Sequence, residues 1–169
     1  MGGIPIAGKS SMTMPTMYVK HRGMFDHKAF VQAIQEWFRD NRYEFHMQKY
    51  KIKAAEAEYE QWGTRDITEY TRFRVATHIW IRDLVDVEVV RDGEKVKLQE
   101  GYIQCEIYGQ VMFDFGKMFG GSKVMQWLHR FYKSYIVRQT YHDVWEDDCI
   151  LKMQELIARI KEVLGTEAS

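Results

Sequence analysis

The dipeptide Asp92-Gly93 stands between two stretches of alternating apolar and polar residues, and nothing else in the chain constrains its fold so strongly. Two residues of this kind make the tight type I′ turn, whose twist matches that of paired strands. Counting outward from the turn pairs Val89 with Val96 and Val87 with Leu98, and sets Glu88 against Lys97 on the other face. The alternation continues on both sides. Upstream, Thr68 to Arg82 puts Phe73, Val75, Thr77, Ile79 and Ile81 on one face, and Tyr70, Arg72, Arg74, His78, Trp80 and Arg82 on the other. Downstream, Tyr102 to Phe115 separates Ile103, Cys105, Ile107, Val111, Phe113 and Phe115 from Tyr102, Gln104, Glu106, Tyr108, Gln110 and Asp114. The expectation is an antiparallel sheet with one buried face and one wetter face.

The remaining elements follow from periodicity. Met17 to Phe25 reads as a first strand, and Asp26 as the cap of a helix over 27–41 whose Phe30, Ile34, Trp37 and Phe38 share a face. From Tyr43 to Trp62 strand is favoured over helix, although 43–54 stays open. Parity changes near Tyr50 and near Ala54, which implies a bulge or two strands. A turn at Gly63–Asp66 then sets Glu58 against Arg72, Glu56 against Arg74, Ala57 against Phe73 and Ala55 against Val75. Gly116 to Gly121 reads as a loop and Ser122 as a cap. Val124, Leu128, Phe131 and Tyr135 then recur at helical spacing, and the polar run Arg138 to Asp143 kinks or ends this helix. A last helix from about Val144 to Leu164 carries the seam Cys149, Met153, Leu156, Ile160 and Val163, and Gly165 stops it. The seam, widened by Ile150, Ile157 and Leu164, is expected to cover the sheet.

These elements define an α+β fold: about four to six antiparallel strands, one helix after the first strand, and one or two C-terminal helices as cover. Residues 1–16 read as a flexible tail and 17–165 as a single domain. In its order of elements, Tyr18 to Leu164 resembles the helix-grip, START-like lipid-binding domains, with one helix after the first strand where that family usually has two. The resemblance implies a curved sheet wrapped around a long C-terminal helix, with a lipid or other apolar ligand between them.

Charge and motifs narrow the function. Formal net charge is zero, which weighs against a dedicated DNA-binding domain. With only Cys105 and Cys149 and no secretory or membrane-spanning segment, a reduced, cytoplasmic setting is expected. Gly3 to Ser10 fits the P-loop pattern, but only two residues precede it, and Ser10 to Pro15 is a poor helix start. His142, Asp143, Glu146, Asp147, Asp148 and Cys149 have metal-ligand chemistry. They also mix soft and hard ligands at a helix start, where carboxylates favour the dipole. No catalytic constellation emerges from the six histidines, Cys105 or Ser122, and no cofactor or metal is expected.

Two surfaces attract attention. Tyr70, Arg72, Arg74, His78, Trp80 and Arg82, with Tyr102 and Tyr108 on the neighbouring strand, interleave aromatics with cations. Single-stranded nucleic acid binds such rows, but inferred glutamate partners neutralise the arginines, so a protein-facing surface is the better reading. Lys117 to Arg138 contains five Lys or Arg and no acid among its aromatics. That composition fits a membrane-surface helix, yet the aromatics follow the apolar stripe and core packing is expected for them. The acidic run after it complements its charge, which fits contact between copies. The leading expectation is a non-enzymatic interaction or self-assembly module. A small apolar-ligand carrier comes second and single-stranded nucleic-acid binding third, with a further copy or another protein as partner.

Overall fold

A computed structural model describes residues 11–113, 122–132, 134 and 142–165. Their strands form a six-stranded antiparallel sheet: β1 Ser11–Thr13, β2 Met17–Phe25, β3 Glu44–Lys53, β4 Glu56–Asp66, β5 Thr71–Arg91 and β6 Glu94–Phe113. β3 to β6 are neighbours in chain order, and β1 and β2 both pair with the far edge of β6. The helices are α1 His27–Asp40, α2 Lys123–Tyr132 and α3 His142–Leu164.

The Asp92-Gly93 turn has positive φ at both residues, 52° and 83°, as a type I′ turn requires. It pairs Val89 with Val96, Val87 with Leu98 and Glu88 with Lys97, as the sequence predicts. The strands it joins are 21 and 20 residues long, and a bulge between Arg82 and Val85 is their one break in register. Asp26 caps α1 by accepting from the Ala29 N–H at 2.9 Å. Residues 44–53 are strand. The first parity change is a bulge between Met47 and Lys49, and the second is the turn between β3 and β4, with Ala54 at φ 46°.

The sequence misplaces one turn. Gly63–Asp66 is strand, and the connection runs through residues 67–70. Ala57 therefore faces Ile81, Glu58 faces Trp80, Thr64 faces Arg74 and Asp66 faces Arg72. Gly63 sits mid-strand because the Phe38 ring lies on it: a Cβ there would come 2.6 Å from Phe38 Cδ1. The shift is even, so the residues paired between β4 and β5 keep their assigned faces. Ala55, expected opposite Val75 in the core, is instead exposed in the β3–β4 turn, and Val75 pairs with Gly63.

The expected tail is also too long. Ser11–Thr13 pairs with β6, Met14 donates its N–H to the Gly109 carbonyl at 2.8 Å, and the Met14 side chain is buried. Hence residues 11–16 belong to the fold.

One face of the sheet carries the core. Val19, Cys105, Ile79 and Tyr59 form a row across four strands, with Ile103 and Ile81 in the next row. α1 adds Phe30, Ile34, Trp37 and Phe38, and α3 adds Cys149, Met153, Leu156 and Ile160, all four fully buried. α3 packs on α1, β6 and β2. The fit over β6 is tight, since a Cβ at Gly109 would meet Met153 Sδ at 2.3 Å and Cys149 Sγ at 3.2 Å. α3 thus lies on the sheet as a helix-grip order implies, but the space between them is filled.

Candidate interaction face

The face turned away from α1 and α3 is built by five strands. Parity puts Tyr18 and Lys20 of β2 there, with Tyr102, Gln104, Glu106 and Tyr108 of β6. β5 contributes Arg72, Arg74, His78, Trp80 and Arg82, β4 contributes Glu58, Glu60 and Trp62, and β3 contributes His46 and Lys49. Register sets Tyr102 beside Arg82, Gln104 beside Trp80, Glu106 beside His78 and Tyr108 beside Ala76. Seven of the eight predicted residues are thus in two adjacent strands on one surface. Tyr70 stands apart in the 67–70 connection, its ring 6.1 Å from the core residue Phe113. Sequence reasoning left out Tyr18, which is 57% exposed, and Trp62; the alternation within their own strands was the signal for both.

The side chains form a connected layer. Arg72 makes a two-pronged ion pair with Asp66, Nη2 donating at 3.1 Å, which holds the guanidinium above its usual range. The Arg74 guanidinium lies 4.7 Å over the Trp62 ring, whose centroid is 4.2 Å from that of His46. Such a stack is worth about 0.5–1 kcal/mol at an exposed site. Tyr108 donates its hydroxyl to Glu106, and Gln104 donates to the same carboxylate at 3.3 Å. Burial first, and then the bond to Glu106, push the Tyr108 phenol up.

His78, mostly buried, joins β4 to β5. Its Nε2 is 3.0 Å from Glu58 and 3.4 Å from Glu60, and its ring stands 3.5 Å from that of Trp80. Lys49 Nζ lies 2.8 Å from Glu58 and 3.8 Å from Glu60. The bond from Lys49, then that from His78, hold the Glu58 carboxyl below its ordinary value. Glu58, Glu60 and His78 are the one trio of metal-type ligands that converges among the described residues, within 4.8 Å. The Lys49 ammonium already supplies a cation to both carboxylates, so the trio reads as an ion-pair cluster.

The predicted acidic cluster is split by its helix. Cys149 is fully buried under the sheet, whereas Asp147 and Asp148 are exposed; the side chains of His142 and Asp143 are outside the described residues. The Cys149 thiol is pushed up to about 12 by burial, and burial raises Cys105 as well, so neither has thiolate character. The P-loop-like Gly3–Ser10 lies outside the described residues, but Ser11–Thr13 directly after it is strand, where a P-loop needs a helix N-terminus.

On the core side, past α1, an open groove of about 1130 Å³ runs over the exposed end of the sheet. Its apolar residues are Val31, Tyr43, Phe45, Tyr50, Ile52 and Tyr59. The Tyr59 hydroxyl is 2.6 Å from His27 Nε2 at its edge. Burial raises the Tyr59 phenol to about 12 and lowers His27. No helix among the described residues is long and apolar enough to cross a membrane. No protein-family model matches the chain, and comparison with curated proteins finds no relative.

Proposed function

We propose that this protein is a non-enzymatic interaction module that associates through the outer sheet face, with a second copy as partner. One observation carries the reading: the outer face displays Trp80, Tyr102, Tyr108, Trp62 and Tyr18 across four adjacent strands, interleaved with arginines and glutamates. Aromatics and arginine are favoured where proteins meet, and a face bearing both charge signs can complement itself across a two-fold axis. The bonds among these side chains hold them in place before contact, which lowers the ordering entropy of association. The test is light scattering over a range of concentrations, with Arg82→Glu/Tyr102→Ala beside the parent. The expected result is a mass that rises with concentration for the parent and less for the variant. A strictly monomeric parent that also captures no partner in a pull-down defeats the proposal.

The groove over Tyr50 and Ile52 favours a second reading, a carrier of small apolar ligands. Ligand sites are concave and combine apolar walls with polar groups, and here Val31, Tyr43, Phe45, Tyr50, Ile52 and Tyr59 are joined by nine polar or charged residues. Native mass spectrometry of the protein from its own source distinguishes the two, because a carrier retains a small molecule at constant protein mass.

A further inference from the structure

Core packing was the expectation for the apolar stripe after Ser122; Tyr135 and the Tyr132 side chain lie outside the described residues, and for the rest of the stripe the structure overturns it. Ser122 caps α2 by accepting from the Met125 N–H at 3.1 Å. Along the helix, Val124 is 73% exposed and Trp127 60%, and Met125, Leu128 and Phe131 are exposed too. Trp127 and Phe131 stack at 5.8 Å along the stripe. No other described element packs extensively on α2.

At 100° per residue, Val124, Met125, Trp127, Leu128 and Phe131 fall on one side of the helix, and Lys123, Gln126 and Arg130 on the other. The charged groups are all cationic. From Phe115 to His142 the chain holds Lys117, Lys123, Arg130, Lys133 and Arg138 and no acidic residue, although the whole chain has equal numbers of both signs. An apolar strip edged by cations, with an indole among its large side chains, matches a surface that is apolar within and anionic at its boundary. A protein surface seldom offers both over the roughly 15 Å length of a ten-residue helix, whereas an anionic lipid leaflet offers both everywhere. We infer that α2 is a membrane-surface helix that lies in the headgroup region of anionic bilayers, its Val124–Trp127–Leu128 side toward the acyl chains. It does not span the bilayer. This contact is on a different element from the self-association face and stands or falls separately.

The experiment is co-sedimentation of the full chain with phosphatidylcholine vesicles and with vesicles that also contain phosphatidylserine. The parent is expected to bind the phosphatidylserine vesicles, more weakly as salt rises, and not the neutral ones. Lys123→Glu/Arg130→Glu and, separately, Trp127→Glu/Leu128→Glu are each expected to weaken binding by at least roughly tenfold. Both sets of side chains are exposed, so unfolding midpoints should match the parent. Lys95→Glu, on the exposed end of the β5–β6 hairpin, is expected to bind like the parent. The inference is overturned if the parent ignores anionic vesicles, if it binds neutral ones equally, or if both double variants bind as the parent does. It is also overturned if Trp127→Glu/Leu128→Glu abolishes a dimer in sedimentation while no vesicle is bound, since α2 would then be an interface between copies.

Discussion

Glu58 illustrates how much a single side chain on the outer face depends on its neighbours. Its carboxylate accepts from Lys49 at 2.8 Å and sits 3.0 Å from His78, and its pKa is lowered from the ordinary 4.5. A carboxyl lowered in the folded state takes up its proton first in the unfolded state. The stabilisation is therefore complete above about pH 4.5 and is lost as pH falls through the folded-state value. Glu58→Gln should be less stable than the parent near neutral pH, and its stability should fall less between about pH 5 and pH 3. Urea unfolding across that range measures both slopes, and parallel slopes would remove Glu58 from the acid response. At this scale the sequence was legible for faces and not for partners. Alternation put Glu58 and the β5 arginines on one side, but period two cannot distinguish registers that differ by an even number. In the observed register Gly63 lies under Phe38, and that contact between helix and sheet has no local signature.

Among the elements, α3 is the one whose role its own pattern declares. Cys149, Met153, Leu156 and Ile160 repeat at four, three and four, and all are fully buried. Leu156→Ala should destabilise the protein by about 2–5 kcal/mol, through lost transfer energy and the cavity left behind. Denaturant unfolding at two protein concentrations should give the same loss at both. A loss confined to the oligomer would mean that α3 is an interface and not the cover of the sheet. α2 shows the limit of the same logic. Its stripe is as regular as that of α3, but periodicity reveals that a helix has an apolar side and not what faces that side. α3 meets Gly109 and the β-rows beneath it, while the stripe of α2 faces outward. The extra strand β1 was missed because Pro15 and the small residues around it read as a tail, whereas Met14 is the side chain that anchors it.

For the molecule as a whole, the dominant fact is that its first strands pair with its last. Val19 is bonded in register with Cys105, and Ser11 with Met112. Closing so long a loop precedes any reward from the pairing, so folding of such sheets takes on the order of milliseconds to seconds. Stopped-flow refolding from urea should show a main phase in that range, and a microsecond phase carrying the full amplitude would contradict it. The same pairing has a consequence during synthesis. β3 to β6 form a meander in which neighbours in sequence pair, while β1 and β2, made before those strands, have no partner until β6 follows. Once made, β6 presents a bare edge until β1 and β2 dock, and a β1–β2 segment of another copy carries the same pairing pattern. Exchange of that segment between two copies would rebuild the same ladder in a domain-swapped pair, so the local concentration of chains during folding bears on which form results.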